Sequence, residues 1–407
     1  MKYLFILLAT MIMMVMVAFS QTWTPVNIGG YTNNLNSIWF NNPNKGYIVG
    51  DYFYAIYDGV TWTTKQITSM VDNYTSICFV NDSVGYVTGY KYSNIYKTTD
   101  AGITWTYYFI SPYGLRNMFF INTNIGIAVG DNGAIVRTTD GGNRWNSIPS
   151  QNISTGYNLY GVHFSTNGFL GYIVADKSRN VYKSTDQGLT WYRTALLPQG
   201  CIASHGIEIS EDGSKVFVVY THGLAISTDS GTTWVRKILV NPGYQLRDIK
   251  LDFATGKGML IGDTVLVTND WFNTTQGQSG VHGNSCFLLP DQSGWIIDSA
   301  GVVFRNNHVT KVEIVNNAVP HGYVLYQSYP NPFNPVTAIS YTLPQKGMVS
   351  LTIVNLLGQE MATLVNSEQL AGTYKITFNA SHLSSGVYFA RLKSGSYNGV
   401  QKMILSK

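Results

Sequence analysis

Carboxylates and arginines are the residues whose spacing invites a chemical reading of this 407-residue chain. Two opposed carboxylates several ångströms apart would suit glycosidic cleavage. Arginines would suit a bidentate grip on a ligand carboxylate. The carboxylates that recur at fixed spacing do something else. Asp100, Asp140, Asp186 and Asp229 each stand in Ser/Thr-x-Asp-x-Gly-x-x-Trp. The Asp can accept hydrogen bonds from backbone N–H groups a few residues on and close a tight turn. Gly102, Gly142, Gly188 and Gly231 supply the positive φ of a hairpin turn. Trp105, Trp145, Trp191 and Trp234 return into the next strand as apolar wedges. Asp58 to Trp62 is a worn copy, and Thr268-Asn269-Asp270-Trp271 is another.

These units resemble the Asp-box, or BNR, repeat. The resemblance implies a hairpin between the two outer strands of a β-propeller blade. It implies a folding device and no catalysis.

A second unit precedes each box. It is an alternating strand, a turn, and a Gly-aromatic-aliphatic strand, as in Ser37-Ile38-Trp39-Phe40 followed by Gly46-Tyr47-Ile48-Val49-Gly50. Seven such units run from Ser37 to Ile297, and Trp62, Trp105, Trp145, Trp191 and Trp234 recur every 40 to 46 residues. Short strands at that period predict a propeller, and seven units predict seven blades. The seventh unit ends at Gly301-Val302-Val303-Phe304-Arg305 with no Trp after it, whereas Trp23 stands alone near the start. The strand from Thr22 to Ile28 is therefore expected to close the last blade, with His308 to Val315 as its competitor.

Composition agrees with an all-β chain rich in turns. Charged residues make up 12%, against roughly 25% in soluble domains. A formal net charge of +4, dispersed along the chain, gives no footprint for nucleic acid. Cys78, Cys201 and Cys286 have no metal-ligand spacing; Cys78 and Cys286 read as one column of the repeat in different blades, small and buried. No metal and no cofactor is expected. Lys2, the apolar run Leu4 to Val17 and Ala18-Phe19-Ser20 read as a signal peptide over 1–20. No later stretch is long and apolar enough to form a membrane-spanning helix.

The expected order is signal peptide 1–20, propeller 21–317, linker 318–325 and a small Ig-like antiparallel sandwich over 326–407. That last module opens with Pro330-Asn331-Pro332-Phe333-Asn334-Pro335 and continues through Gly358, Gly386, Tyr388 and Lys402 in ordered motifs. It resembles the type A C-terminal sorting domain of the type IX (Por) secretion system. The resemblance implies a Gram-negative bacterium of the Bacteroidetes–Ignavibacteria kind, passage through the periplasm, and a secreted or cell-surface product handled by the type IX machinery.

In Asp-box propellers the ligand face lies opposite the boxes. Repeat symmetry then places Asn36, Tyr74, Arg116, Tyr160, His205, Arg247 and His282 around one mouth of the channel, an aromatic and mildly basic rim. Such a rim suits a glycan or a protein. A hydrolase of the Asp-box xyloglucanase kind is the alternative, with Asp72 and Asp248 as its carboxylates. A sialidase would need an arginine cluster that the sequence lacks. The Thr-Thr-Asp-Gly-Gly-x-x-Trp box and the Gly-Tyr-Ile-Val-Gly strand are similar to those of YCF48-like photosystem II assembly factors, which implies a binding propeller. The expectation is a non-catalytic binding protein.

Overall fold

The computed structural model describes residues 23–406 apart from 69–71, 111, 150–152, 154–155, 177, 202–205, 279, 290–292, 307–311, 317–319, 321 and 381–382. The expected signal peptide and rim residue His205 lie outside the described residues. The described chain is all-β. Seven inner strands each begin a four-stranded antiparallel sheet: Leu35–Asn42, Tyr74–Phe79, Leu115–Phe120, Leu159–Phe164, Ile207–Ile209, Leu246–Asp252 and Ser285–Leu288. They define blades 1 to 7. Each inner strand touches the next, and that of blade 7 touches that of blade 1. Trp23–Val26 pairs with Val303–Asn306 and completes blade 7, so one blade is built from both ends of the propeller.

Aromatic packing explains the repeated residue types. Phe40, Phe79, Phe120 and Phe164 stand at or near the ends of their inner strands, and each ring lies over the Gly at or near the start of the next strand. A Cβ at Gly46, Gly85, Gly126 or Gly171 would come within 2.2–2.6 Å of that ring. The tryptophan of the same blade closes over the phenylalanine edge-on, as in Trp145–Phe120 at 5.8 Å and Trp191–Phe164 at 5.7 Å. The tyrosine after the Gly reaches the next blade. Tyr47 stacks on Phe79 at 4.0 Å and Tyr86 on Phe120 at 4.1 Å. The Tyr86 hydroxyl also donates to Gly141 O at 2.7 Å, inside the neighbouring box. Pairs of this kind contribute about 0.5–1.5 kcal/mol each beyond their buried area.

The boxes are closed by one hydrogen-bond pattern. The Ser227 hydroxyl donates to Asp229 Oδ1 at 2.8 Å and accepts from Gly231 N at 2.8 Å. Thr233 N donates to the same carboxylate at 2.8 Å. The pattern recurs around Asp100, Asp140 and Asp186. It recurs in full at Asp270, where Phe272 occupies the glycine position at φ 61° with its side chain buried. Thr268 to Thr274 is therefore a complete turn in geometry, though its sequence looks worn.

These bonds have a pH consequence. The Thr104 and Thr233 hydroxyls, with the backbone amides of the same residues, pull Asp100 and Asp229 down to about 2. An unfolded Asp titrates near 3.9. The folded carboxylates are the stronger acids, so their contribution is complete above about pH 4 and is lost as pH falls through about 2. Tryptophan fluorescence followed from pH 5 to pH 2 should show acid unfolding that is shallower in Asp100→Asn/Asp229→Asn. Superimposable acid limbs would contradict this role.

The cysteines correct one sequence expectation. Cys78 pairs with Tyr86, whereas Cys286 pairs with Ile296 and it is Phe287 that faces Trp295. The two are one position out of step and occupy different columns. All three cysteines are buried and free.

The C-terminal module is a sandwich of two four-stranded sheets. One runs Val312–Asn316, Gly372–Asn379, Val336–Leu343, Val324–Leu325. The other runs Glu360–Gln369, Gly347–Asn355, Gly386–Ser394, Tyr397–Leu405. Of the expected competitor for the blade 7 edge, His308 to Val315, the part before Val312 lies outside the described residues and the rest falls in Val312–Asn316, which pairs with Gly372–Asn379 instead. This strand thus belongs to the sandwich although it precedes residue 317. The proline-rich opening clasps the last strand. Asn331 Nδ2 donates to Lys402 O, Asn331 Oδ1 accepts from Ile404 N, and Phe333 is buried in the core.

Candidate functional site

The loops opposite the boxes hold the described members of the predicted rim, and most of these are engaged in holding the ring together. Asn36 Nδ2 donates to Asp51 Oδ1 at 3.0 Å and to Tyr74 O at 2.9 Å in blade 2. Thr75 and Asn284 make the same reach into the next blade, to Leu115 O and Leu35 O. Tyr74 is buried, edge-on to Tyr96 at 5.4 Å. Arg116 pairs with Asp131 through Nε. Its guanidinium lies 4.9 Å from the Tyr90 ring centroid and 4.4 Å from that of Tyr160. Two rings this close to the guanidinium, with the Asp131 pair, hold it in place.

Sequence reasoning missed the carboxylates on this face. Asp51, Asp131, Asp176, Asp263 and Asp298 all follow the second strand of a blade. Three of them hold the rim residue of their own blade: Asp51 with Asn36, Asp131 with Arg116, and Asp263 with Arg247. The rim is consequently charge-paired, where a mildly basic one was expected. An Asp directly after Gly50, Gly130, Ala175, Gly262 and Ile297 was the signal that could have revealed them.

Arg247 and His282 come together. With Asp263, Asn284, Asp298 and Ser299 they line a cleft of about 180 Å³ between blades 6 and 7. Arg247 donates to Asp263 Oδ1 at 2.7 Å, and about a third of each side chain is exposed. Asp298 is 1% exposed, and His282 Nδ1 lies 3.3 Å from its Oδ2. A buried carboxylate beside an exposed imidazole sets the orientation of the ring.

A second polar group lies on the inner strands themselves. Trp39, Cys78, Phe119, His163, Glu208, Lys250 and Phe287 occupy one register position in the seven blades. Phe119 meets His163 edge-on at 4.7 Å, and Trp39 meets Phe287 at 5.6 Å. Glu208 accepts from Lys250 Nζ at 2.7 Å and has His163 Nε2 at 3.8 Å. Burial pushes the His163 pKa down. Burial also disfavours the Lys250 ammonium, but Glu208 and Asp248 outweigh it and hold its pKa above the ordinary lysine value. One arc of this ring is ionic and the rest is aromatic or apolar.

The two carboxylates of the hydrolase reading are engaged elsewhere. Asp72 has no exposed surface and accepts from Asn73 N, Lys91 N and the Tyr96 hydroxyl. Asp248 is half-buried and accepts from Ile249 N, Cys286 N and the Ser285 hydroxyl. Burial raises its pKa. No group of three metal-ligating side chains occurs among the described residues.

Two family models match parts of the chain. Residues 327–406 match the secretion system C-terminal sorting domain, and residues 113–235 match the photosynthesis system II assembly factor YCF48. No curated protein matches the chain in sequence. Among solved structures, a YCF48 bound to a D1 peptide is similar at 18% identity and TM-score 0.58, covering 70% of this chain and 96% of that one. YCF48 from Cyanidioschyzon merolae is similar at 17% and 0.57, covering 70% and 98%. The extracellular domain of BT4673 from B. thetaiotaomicron is similar at 9% and 0.56, covering 95% of this chain and 58% of that one. At these identities the likeness is one of fold. The chain is an Asp-box seven-bladed β-propeller similar to YCF48, followed by a C-terminal sorting domain of the Por secretion type.

Proposed function

We propose that this is a non-catalytic glycan-binding protein of the cell surface or its surroundings. Residues 1–20 direct export to the periplasm, and the sorting domain, taken as 326–407, hands the propeller to the type IX machinery. The ligand docks on the face that carries the cleft between blades 6 and 7. One observation carries the reading: this face offers a small polar cleft together with exposed tyrosines, while the carboxylates a hydrolase would use are occupied by backbone amides and hydroxyls. Tyr52, Tyr113 and Tyr244 are 43–50% exposed and sit on its loops. Rings of this kind suit stacking on sugars. A protein segment is the second reading, favoured by the similar YCF48 that was solved bound to a D1 peptide. A glycan array probed with the chain from Gln21 to Lys407, beside a hydrolysis assay on the same sugars, tests the first. Binding without turnover is expected. Turnover would restore the hydrolase alternative, and silence on every sugar would leave the protein segment.

A further inference from the structure

The cleft between blades 6 and 7 contains one buried polar atom with no hydrogen-bond partner. Asp298 Oδ1 accepts from Ala300 N at 2.8 Å and Val302 N at 2.7 Å. Its Oδ2 has none among the described residues, although His282 Nδ1 stands 3.3 Å away. A buried carboxylate oxygen without a donor is costly, and His282 Nδ1 at 3.3 Å is the nearest group able to supply one, which selects the neutral ring's tautomer with its proton on Nδ1. The other ring nitrogen, Nε2, is then a bare acceptor. His282 is about half exposed and lines the cleft, so that acceptor is open to a ligand. Arg247 lines the same cleft and spends one N–H on Asp263 at 2.7 Å. Its guanidinium retains further donors for a ligand.

We infer that this cleft is the subsite for a single neutral, hydroxyl-rich ring, with one hydroxyl donating to His282 Nε2 and a neighbouring one accepting from Arg247. The inference rests on the glycan reading above and narrows it to a place and a chemistry. A hydroxyl both donates and accepts, so adjacent hydroxyls answer both groups. A carboxylate or phosphate would satisfy Arg247 but would bring its charge beside Asp263 and Asp298 and offer nothing to His282 Nε2. An ammonium would reverse the problem and face Arg247. The volume of about 180 Å³ suits one ring rather than several. Tyr244 is 48% exposed and directly precedes Gln245, whose amide donates to Asp263 Oδ2, so an aromatic face stands close by.

Titration calorimetry on the chain from Gln21 to Lys407 tests this with cello-, xylo-, manno- and galacto-oligosaccharides and a uronate oligomer as probes. A neutral oligosaccharide should bind, and Arg247→Ala and His282→Ala should each weaken it about ten-fold or more. Asp298→Asn is the sharper variant. Its Oδ1 can still take the two backbone amides, but its Nδ2 would donate to His282 Nδ1 and turn Nε2 from acceptor to donor. It should weaken binding to a similar degree with the fold intact by circular dichroism. Unaltered affinity in all three variants would overturn the subsite and leave the glycan reading standing. Binding of the uronate alone would overturn the donor–acceptor argument. Silence on every sugar would overturn both.

Discussion

Deleting Trp23–Val26 should lower the melting temperature of the propeller by roughly 10 °C or more. This strand is the outer edge of blade 7 and pairs residue by residue with Val303–Asn306. Trp23 packs against the buried cluster that contains Met259, Cys286 and Ile296, and its ring limits the space at Gly294. Losing a fully buried tryptophan costs about 3–5 kcal/mol, and the partly buried Trp23 falls at or below the low end of that range. The deletion also strips a ladder of hydrogen bonds and exposes a new sheet edge. Trp23→Ala should account for about half of the loss. Calorimetric scans of the three proteins decide the matter; an unchanged melting temperature on deletion would mean that the ring does not depend on its closing strand.

Removing Tyr323 to Lys407 should leave the protein inside the cell envelope. The removed segment contains every residue matched to the sorting domain, 327–406. Its proline-rich opening and its last strand are one structure: Phe333 N donates to Ile404 O, Ser406 N donates to Phe333 O, and Asn331 brackets Lys402 and Ile404. A shorter truncation before Lys402 should therefore fail as completely as loss of the whole module, because Asn331 and Phe333 lose their partners. Fractionation with an antibody against the propeller is the check. Normal appearance outside the cell after either truncation would refute sorting through this module.

The ring was legible in the sequence where side-chain types map onto geometry. The Asp-box spacing requires its turn, and the missing seventh tryptophan pointed to Trp23. The sixth box was harder to see because Phe272 takes a backbone conformation that usually calls for Gly. The Cys286 column slipped because Ser285-Cys286-Phe287-Leu288 is apolar at three successive positions, so alternation does not fix its register. The rim was the least legible. Asn36, Arg116 and Arg247 lie opposite the boxes, where repeat symmetry put them, but their partners Asp51, Asp131 and Asp263 come from a different turn of the blade. Pairing across a hairpin is set by register, which a list of polar loop residues does not contain. The buried state of Tyr74 escaped for the same reason.

Hydrogen–deuterium exchange on the chain from Gln21 to Lys407, with and without the oligosaccharide that binds it most tightly, would show which face of the ring holds the ligand. Exchange should slow in the segments around Tyr244 to Asp248, Asp263, Val281 to Asn284 and Asp298 to Val302, which bound the cleft. Exchange should not change in the turns at Asp100, Asp140, Asp186 and Asp229 on the opposite face. Protection confined to those box turns would contradict this placement, because the recognition surface would then lie on the side of the ring assigned to folding.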